Sequence, residues 1–315
     1  MNQQMILIIG KTASGKGRLA FQLAEHLDGE IISIDSMKVY RRMDIGTAKP
    51  PKQAREKIKH HLIDIVEPSE SFNVGMFYNY ALSAIDDINS RNKTVIAAGG
   101  TALYIKTLLY GLFEGPGKNR QIRNELEKKS DTMGLEFLHR RLYEIDPEAA
   151  LNIHANDRKR IIRALEVYQI TKKPISSLKQ QWDKDKPLHN WTVIGIKREK
   201  KDVSHRINLR VKKMFEQGLV NEVETLLSET KPLSEQARCA IGYAEIIEYL
   251  NGKNTLEKTF EKVKINTRRL AKNQQNWFKT FGNVNWIEVE PDEPQQSFFQ
   301  KAINLLNRLG SIHTG

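Results

Sequence analysis

Eight residues near the amino terminus, Gly10-Lys11-Thr12-Ala13-Ser14-Gly15-Lys16-Gly17, carry the glycine and lysine spacing of a phosphate-binding loop. Gly10 and Gly15 have no Cβ, so the backbone between them can fold tightly and turn successive N–H groups toward phosphate oxygens. Lys16 adds a mobile point charge for the outermost phosphate. The usual pattern ends in Ser or Thr, whose hydroxyl ligates Mg²⁺; here the position is Gly17, and that ligand is missing. Two more polar side chains follow apolar stretches, Asp35 after Ile31-Ile32-Ser33-Ile34 and Thr101 after Val95-Ile96-Ala97-Ala98-Gly99-Gly100. Asp35 has three readings: a water-mediated Mg²⁺ ligand, an acceptor for a nucleophile's proton, or a helix N-cap. Thr101 either offers its hydroxyl to a ligand that Gly99 and Gly100 let come close, or caps the next helix.

These groups need a scaffold. Residues 5–9 are an unbroken apolar run ahead of the loop, and Leu19, Leu23 and Leu27 behind it fall at helical spacing. Strand, loop and helix thus follow in the order that adds a helix dipole to the loop. Residues 30–35, 95–98 and 191–196 read as further buried strands, with a last one near 284–289. Phe77, Ala81, Ile85 and Ile88 mark a helix over about 75–91. In parallel α/β sheets the strand ends carry the chemistry, which sets Asp35 beside the loop. His60-His61 is not expected to hold a metal, because adjacent side chains point apart and no second ligand pair follows at useful spacing. A long helix is expected over 255–281. Leu256, Phe260, Val263, Leu270, Trp277 and Phe281 form its packing side, and Arg268, Lys272, Gln275 and Lys279 a basic one.

Charge and composition narrow the partners. Fifty Lys and Arg against 38 Asp and Glu give a net charge of +12 over 315 residues, which points to a polyanion such as nucleic acid. The single Cys239 excludes an internal disulfide framework and an all-cysteine zinc site. No apolar run reaches the roughly 18 residues of a membrane span. A reducing, cytoplasmic setting is the expectation.

The fold class expected is α/β: residues 1–114 and 188–315 form a parallel phosphate-loop core, interrupted by an all-helical insertion over 115–187. In the insertion Asp146-Pro147 marks a helix start, and Lys159, Arg160 and Arg163 lie within one turn. That basic face either meets a nucleic-acid backbone or is tied into salt links with Asp157 and Glu166. Residues 197–213 form a second basic patch that includes Arg198, Arg206 and Arg210.

Taken together, the ordered motifs resemble the tRNA dimethylallyltransferases, also called tRNA isopentenyltransferases. The residues that carry the likeness span the chain. They are the loop from Gly10 to Lys16, Asp35-Ser36, Asp44-Ile45-Gly46-Thr47-Ala48-Lys49-Pro50, His60-His61-Leu62-Ile63-Asp64, Gly99-Gly100-Thr101, Arg163-Ala164-Leu165-Glu166, Ala240-Ile241-Gly242-Tyr243, and Lys272, Gln274, Trp277 and Phe278. The resemblance implies a P-loop NTPase-like core and a prenyltransferase. It would move a dimethylallyl group from dimethylallyl diphosphate to N6 of the adenine 3′ of the tRNA anticodon, giving N6-isopentenyladenosine.

It further implies that Gly10, Thr12, Ala13, Ser14, Gly15, Lys16 and Gly17 hold the donor diphosphate with no ATP consumed, and that Mg²⁺ screens it. Asp35 would accept a proton or hydrogen bond from N6, and Thr101 would bond the leaving oxygen. Asp35, Ser36, Met37, Lys38, Thr101, Arg123, Lys159, Arg160, Ile161, Ile162 and Arg163 match positions expected to touch tRNA, in a monomer that gains nothing from a membrane. Gly17, Lys38, Ala102, Ala244 and Asn273 depart from the family pattern, as a divergent member would. Two alternatives stand beside this reading. An adenylate isopentenyltransferase would not need the basic insertion, and a catalytically weakened tRNA-binding paralogue would not need Lys16, Asp35 and Thr101.

Overall fold

The computed structural model describes residues 5–112, 115–178 and 187–310, in two compact units, residues 1–109 with 187–315 and residues 110–186. The boundary expected at residue 114 lies outside the described residues.

The first unit opens with β1 (Met5–Gly10), α1 (Lys16–His26), β2 (Gly29–Ile34), α2 (Lys52–Lys57), β3 (His60–His61), α3 (Val74–Ser90), β4 (Thr94–Gly99) and α4 (Ala102–Tyr110). Every residue of β1 and β2 is buried, as in a parallel strand covered by helices on both faces. All strand pairs are parallel, in the order β3-β2-β4-β1-β5-β6, with β5 at Trp191–Lys197 and β6 at Asn285–Glu288. The chain runs from β1 out to β2 and β3 and returns with β4 beside β1. A crevice therefore opens beyond the carboxyl ends of these strands, where an open α/β sheet binds its ligand. Leu19 and Leu23 of α1 pack with Ile8, Ile196 and Phe298 in one core cluster.

The rest of this unit adds α10 (Lys200–Glu216), α11 (Leu219–Leu227), α12 (Glu235–Arg238), α13 (Tyr243–Leu250), α14 (Leu256–Phe278) and α15 (Gln295–Arg308). Val203, Ile207 and Val211 of α10 pack against Val263 and Ala271 of α14. The helix expected to run to Phe281 stops at Phe278. The backbone N–H of Thr280 bonds the carbonyl of Trp277 at 2.9 Å, and that of Phe281 the carbonyl of Phe278, so the last turn tightens and closes.

The second unit holds α5 (Arg120–Met133), α6 (Leu135–Ile145), α7 (Pro147–Asn152), α8 (Arg158–Thr171) and α9 (Ile175–Leu178) around Leu126, Leu138, Leu142, Ile161 and Leu165. Asp146 caps α7, accepting the N–H of Ala149 at 3.0 Å, with Pro147 in the first turn. Ile161 (0% exposed) and Ile162 (4%) belong to this core, which corrects their placement among the tRNA contacts: their side chains are packed on protein. Arg123 and Arg163 are committed as well. Both donate to the fully buried carboxylate of Glu166, Arg123 Nε at 2.8 Å and Arg163 Nη1 at 2.6 Å, and the N–H of Asn119 adds a bond at 2.7 Å. Burial alone would raise the Glu166 pKa, but these donors outweigh it and hold it below the usual carboxylate range. Arg160 pairs with Asp157 at 3.1 Å and, like Lys159, stays exposed.

Candidate active site

The loop after β1 is tight. Ala13 (φ 63°) and Gly15 (φ 97°) adopt left-handed backbone, and the N–H of Ser14 bonds the carbonyl of Lys11 at 3.2 Å. Gly10 is required for closeness within the loop itself, since a Cβ there would stand 2.6 Å from Ser14 Oγ. A cavity of about 820 Å³ lies against the loop, lined by Thr12, Ala13, Gly15, Lys16 and Gly17. Gly10 and Ser14 do not line it, and the Ser14 side chain is fully buried, so what these two expected diphosphate-binding positions can offer is the loop backbone.

Cations crowd this cavity. Arg206 and Arg210, one turn apart on α10, both line it. Arg206 Nε donates to the carbonyl of Ala13 at 2.8 Å and Arg210 Nη1 to Thr12 Oγ1 at 3.3 Å. Arg198 Nε braces the carbonyl of Ser14 at 2.9 Å and its Nη1 pairs with Asp202 at 2.8 Å, so the basic patch of residues 197–213 is partly an internal brace. Lys16 Nζ rests on the carbonyl of Lys11 at 3.3 Å. Burial, then the charges of Lys38 and Arg210, push the Lys16 pKa down to about 7, with Asp35 opposing. Burial also lowers the pKa values of Lys38 and Arg210. Several desolvated cations around one carboxylate make an anion site waiting for charge.

A pH dependence follows from Lys16. An anion favours the ammonium, so below pH 7 the lysine is already charged and its contribution to affinity is flat. Above pH 7 each unit costs up to about tenfold, and binding takes up a proton. Calorimetry of dimethylallyl diphosphate binding at pH 8, in buffers of different ionisation heat and without tRNA, should show uptake, and Lys16→Ala should abolish it. The terminal phosphate, with its last pKa near about 6, is already ionised there.

Asp35 and Thr101 come from neighbouring strands, β2 and β4, and both line the cavity. Asp35 Oδ1 accepts the N–H groups of Met37 (2.9 Å) and Lys38 (3.3 Å), while Thr101 Oγ1 accepts that of Ser36 at 3.2 Å. Ser36, Met37 and Lys38 line the same cavity. Gly99 and Gly100 line the cavity too, and protein already comes close to both. A Cβ at Gly99 would lie 2.0 Å from the carbonyl of Ile34, and one at Gly100 2.4 Å from Gln274 Nε2. The cavity lining also has an apolar part, with Val211, Met214, Ile241, Val263, Leu270 and Trp277. Leu270 (39% exposed) and Trp277 (38%), expected to pack, face this cavity instead.

A family model described as IPP transferase matches residues 38–281. The chain belongs to the IPP transferase family. It is 47% identical over 293 residues to a tRNA dimethylallyltransferase of Acetivibrio thermocellus, covering 92% of this chain and 94% of that one. It is 46% identical to tRNA dimethylallyltransferase 2 of Geotalea uraniireducens, over 90% of this chain and 92% of that one. Among solved structures it is similar to the full-length tRNA isopentenylpyrophosphate transferase of Bacillus halodurans (37% identity, TM-score 0.72, 99% and 97% of the chains covered). It is also similar to a eukaryotic dimethylallyltransferase acting on tRNA (30% identity, TM-score 0.83, 98% and 80% covered).

In this IPP transferase the residues that sequence reasoning missed as cavity groups are Arg206, Arg210 and Gln274. Their signal was present as a four-residue spacing within a basic stretch and as a glutamine in the Lys272 to Phe278 motif. Asp35 is the one carboxylate among the described residues that line the cavity. That suits a Mg²⁺ ion held chiefly by diphosphate oxygens and water, since Mg²⁺ needs only one or two carboxylates from protein. Glu30, His61 and Asp87 also converge, within 4.8 Å, which the sequence around His60-His61 did not suggest. Arg91 bonds both carboxylates, so this cluster is an ion-pair network.

Gly17 lines the cavity, and a Cβ there meets nothing within 4 Å. Gly17→Thr should therefore fold at least as well, gaining about 0.3 kcal/mol of helix propensity. It restores a hydroxyl beside the anion site, and Mg²⁺ titration of turnover should show a threefold or greater rise in apparent affinity, absent in Gly17→Ala.

Proposed function

We propose that this IPP transferase moves the dimethylallyl group of dimethylallyl diphosphate onto N6 of the adenine 3′ of the anticodon in tRNA, giving N6-isopentenyladenosine. The observation that carries the reading is the composition of one cavity: desolvated cations, a set of apolar side chains, and a single carboxylate at a strand end. A short apolar chain esterified to a diphosphate complements both kinds of lining at once.

The loop backbone, Lys16 and Arg210 take the diphosphate, and Val211, Met214 and Leu270 take the prenyl carbons. The adenine must leave its stack to reach the cavity, where Ser36, Met37 and Lys38 stand ready to contact it. As the C1–O bond breaks and the N6–C1 bond forms, Asp35 receives the N6 proton and Thr101 donates to the departing oxygen. Bound Mg²⁺, held by the diphosphate and by water, would neutralise part of the leaving charge. Exposed Lys159 and Arg160 on the helical unit supply cations for RNA phosphates. The reading takes the protein as a monomer that meets its tRNA in the cytoplasm. Among the described residues, no helix is long and apolar enough to cross a membrane.

Mass spectrometry of nucleosides tests this, with unmodified tRNA, dimethylallyl diphosphate and Mg²⁺ in one reaction and AMP replacing tRNA in another. Isopentenyladenosine in the tRNA digest is the expected result. Prenylated AMP with untouched tRNA would reassign the protein to the mononucleotide enzymes, and bound but unmodified tRNA would make it a silent binder.

A further inference from the structure

Helix α14 reaches into the phosphate loop through one side chain. Gln274 is 9% exposed, and both ends of its amide are used: Oε1 accepts the N–H of Thr12 at 2.8 Å, and Nε2 donates to the carbonyl of Gly100 at 3.0 Å. Thr12 belongs to the loop that carries Lys16, and Gly100 immediately precedes Thr101. A single planar amide therefore spans the two segments that the proposed reaction must hold in register. The absence of a Cβ at Gly100 leaves the room this bridge occupies, since one would fall 2.4 Å from Nε2. The neighbouring Gln275 Oε1 accepts from Lys11 Nζ at 3.4 Å, so α14 meets the loop at a second point. Asn273 and Trp277 place the same stretch of α14 on the cavity.

We propose that Gln274 is a positioning residue for group transfer: its amide fixes the distance between the diphosphate loop and the Thr101 hydroxyl. The inference rests on the prenyl-transfer reading given above. The bridge also spends the Thr12 N–H, a donor that a phosphate loop would otherwise offer its ligand, so the loop keeps its shape through protein contacts alone. Without the bridge the donor still finds Lys16 and Arg210, but Thr101 and Asp35 drift relative to the breaking bond. Misplacement of about 1 Å costs on the order of 10²-fold in rate.

Gln274→Met keeps the length and loses both hydrogen bonds. With tRNA saturating at 25 °C, kcat should fall about 30- to 100-fold. The KM for dimethylallyl diphosphate, and its Kd measured without tRNA, should stay within about threefold, because the charged contacts survive. Gly100→Ala, which pushes the amide aside while Gln274 remains, should give the same split, and it carries the test if the methionine variant does not fold. A kcat within threefold of wild type in a folded variant, or a loss carried by KM, would overturn the assignment and leave Gln274 a purely structural clamp. Wild-type protein that transfers nothing to tRNA would overturn the prenyl-transfer reading and this inference together, so the two failures are distinct.

Discussion

Asp35→Asn should lower the single-turnover rate of transfer to tRNA by about 10²- to 10⁴-fold, the range that a positioned general base contributes. The substitution is clean because of how the side chain is held. One carboxylate oxygen, Oδ1, is occupied by the N–H groups of Met37 and Lys38, and an asparagine oxygen can accept both. The turn is then kept, but the one negative charge facing Lys16, Lys38 and Arg210 is lost, so the unfolding temperature of the donor-free protein should fall and saturating donor should recover part of the loss. What changes is the second oxygen, which becomes an NH₂ group. It cannot take a proton from N6, and it presents a donor to a donor. Donor Kd should be little affected, because the diphosphate is held by the loop and by Arg210. Retention of more than a tenth of the wild-type rate would place the base elsewhere.

Lys16→Ala should move activity and stability in opposite directions. Removing the charge nearest the outer phosphate should cost about 10²- to 10³-fold in kcat/KM, as loss of one preorganised stabilising group does. In the anion-free protein, however, the same lysine is a burden. Its pKa in the fold, about 7, lies below its ordinary value of 10.5 because of burial and the charges of Lys38 and Arg210. Between those two values the unfolded chain binds more protons, so this group makes stability rise with pH; below pH 7 its full cost is present. Lys16→Ala should therefore raise the unfolding temperature at pH 6, with a smaller gain at pH 9. Saturating donor should reverse the order by stabilising the wild type more. A lower unfolding temperature at pH 6 in the absence of donor would contradict the electrostatic account.

The two variants probe halves of one site whose parts were unequally legible in the chain. The loop from Gly10 to Lys16, the buried strands and the carboxylate at the end of β2 follow from local rules, because glycine freedom, apolar runs and strand ends are set within a few neighbouring residues. The helix start at Asp146 and Pro147 was equally open to that kind of reading. Direction was not. A basic side chain in a sequence is the same symbol whether it meets solvent, a carboxylate or a ligand, so Arg123 and Arg163 could be told from Arg160 only when Glu166 was seen buried between them.

The same limit applies to α14. Periodicity put Leu270 and Trp277 on its apolar side, but whether that side meets a core or a cavity depends on what α10 and the phosphate loop leave open. Gly99 and Gly100 show the converse: the sequence announced a close approach, and the fold decided that Ile34 and Gln274 are what approach. By itself the sequence determined the elements and the chemistry available, because those depend on bonded neighbours. The tertiary structure alone decided which groups share the cavity, which are spent on each other, and how Gln274 joins the loop to Gly100, because those depend on contacts between residues far apart in the chain, 262 positions for Thr12 and Gln274.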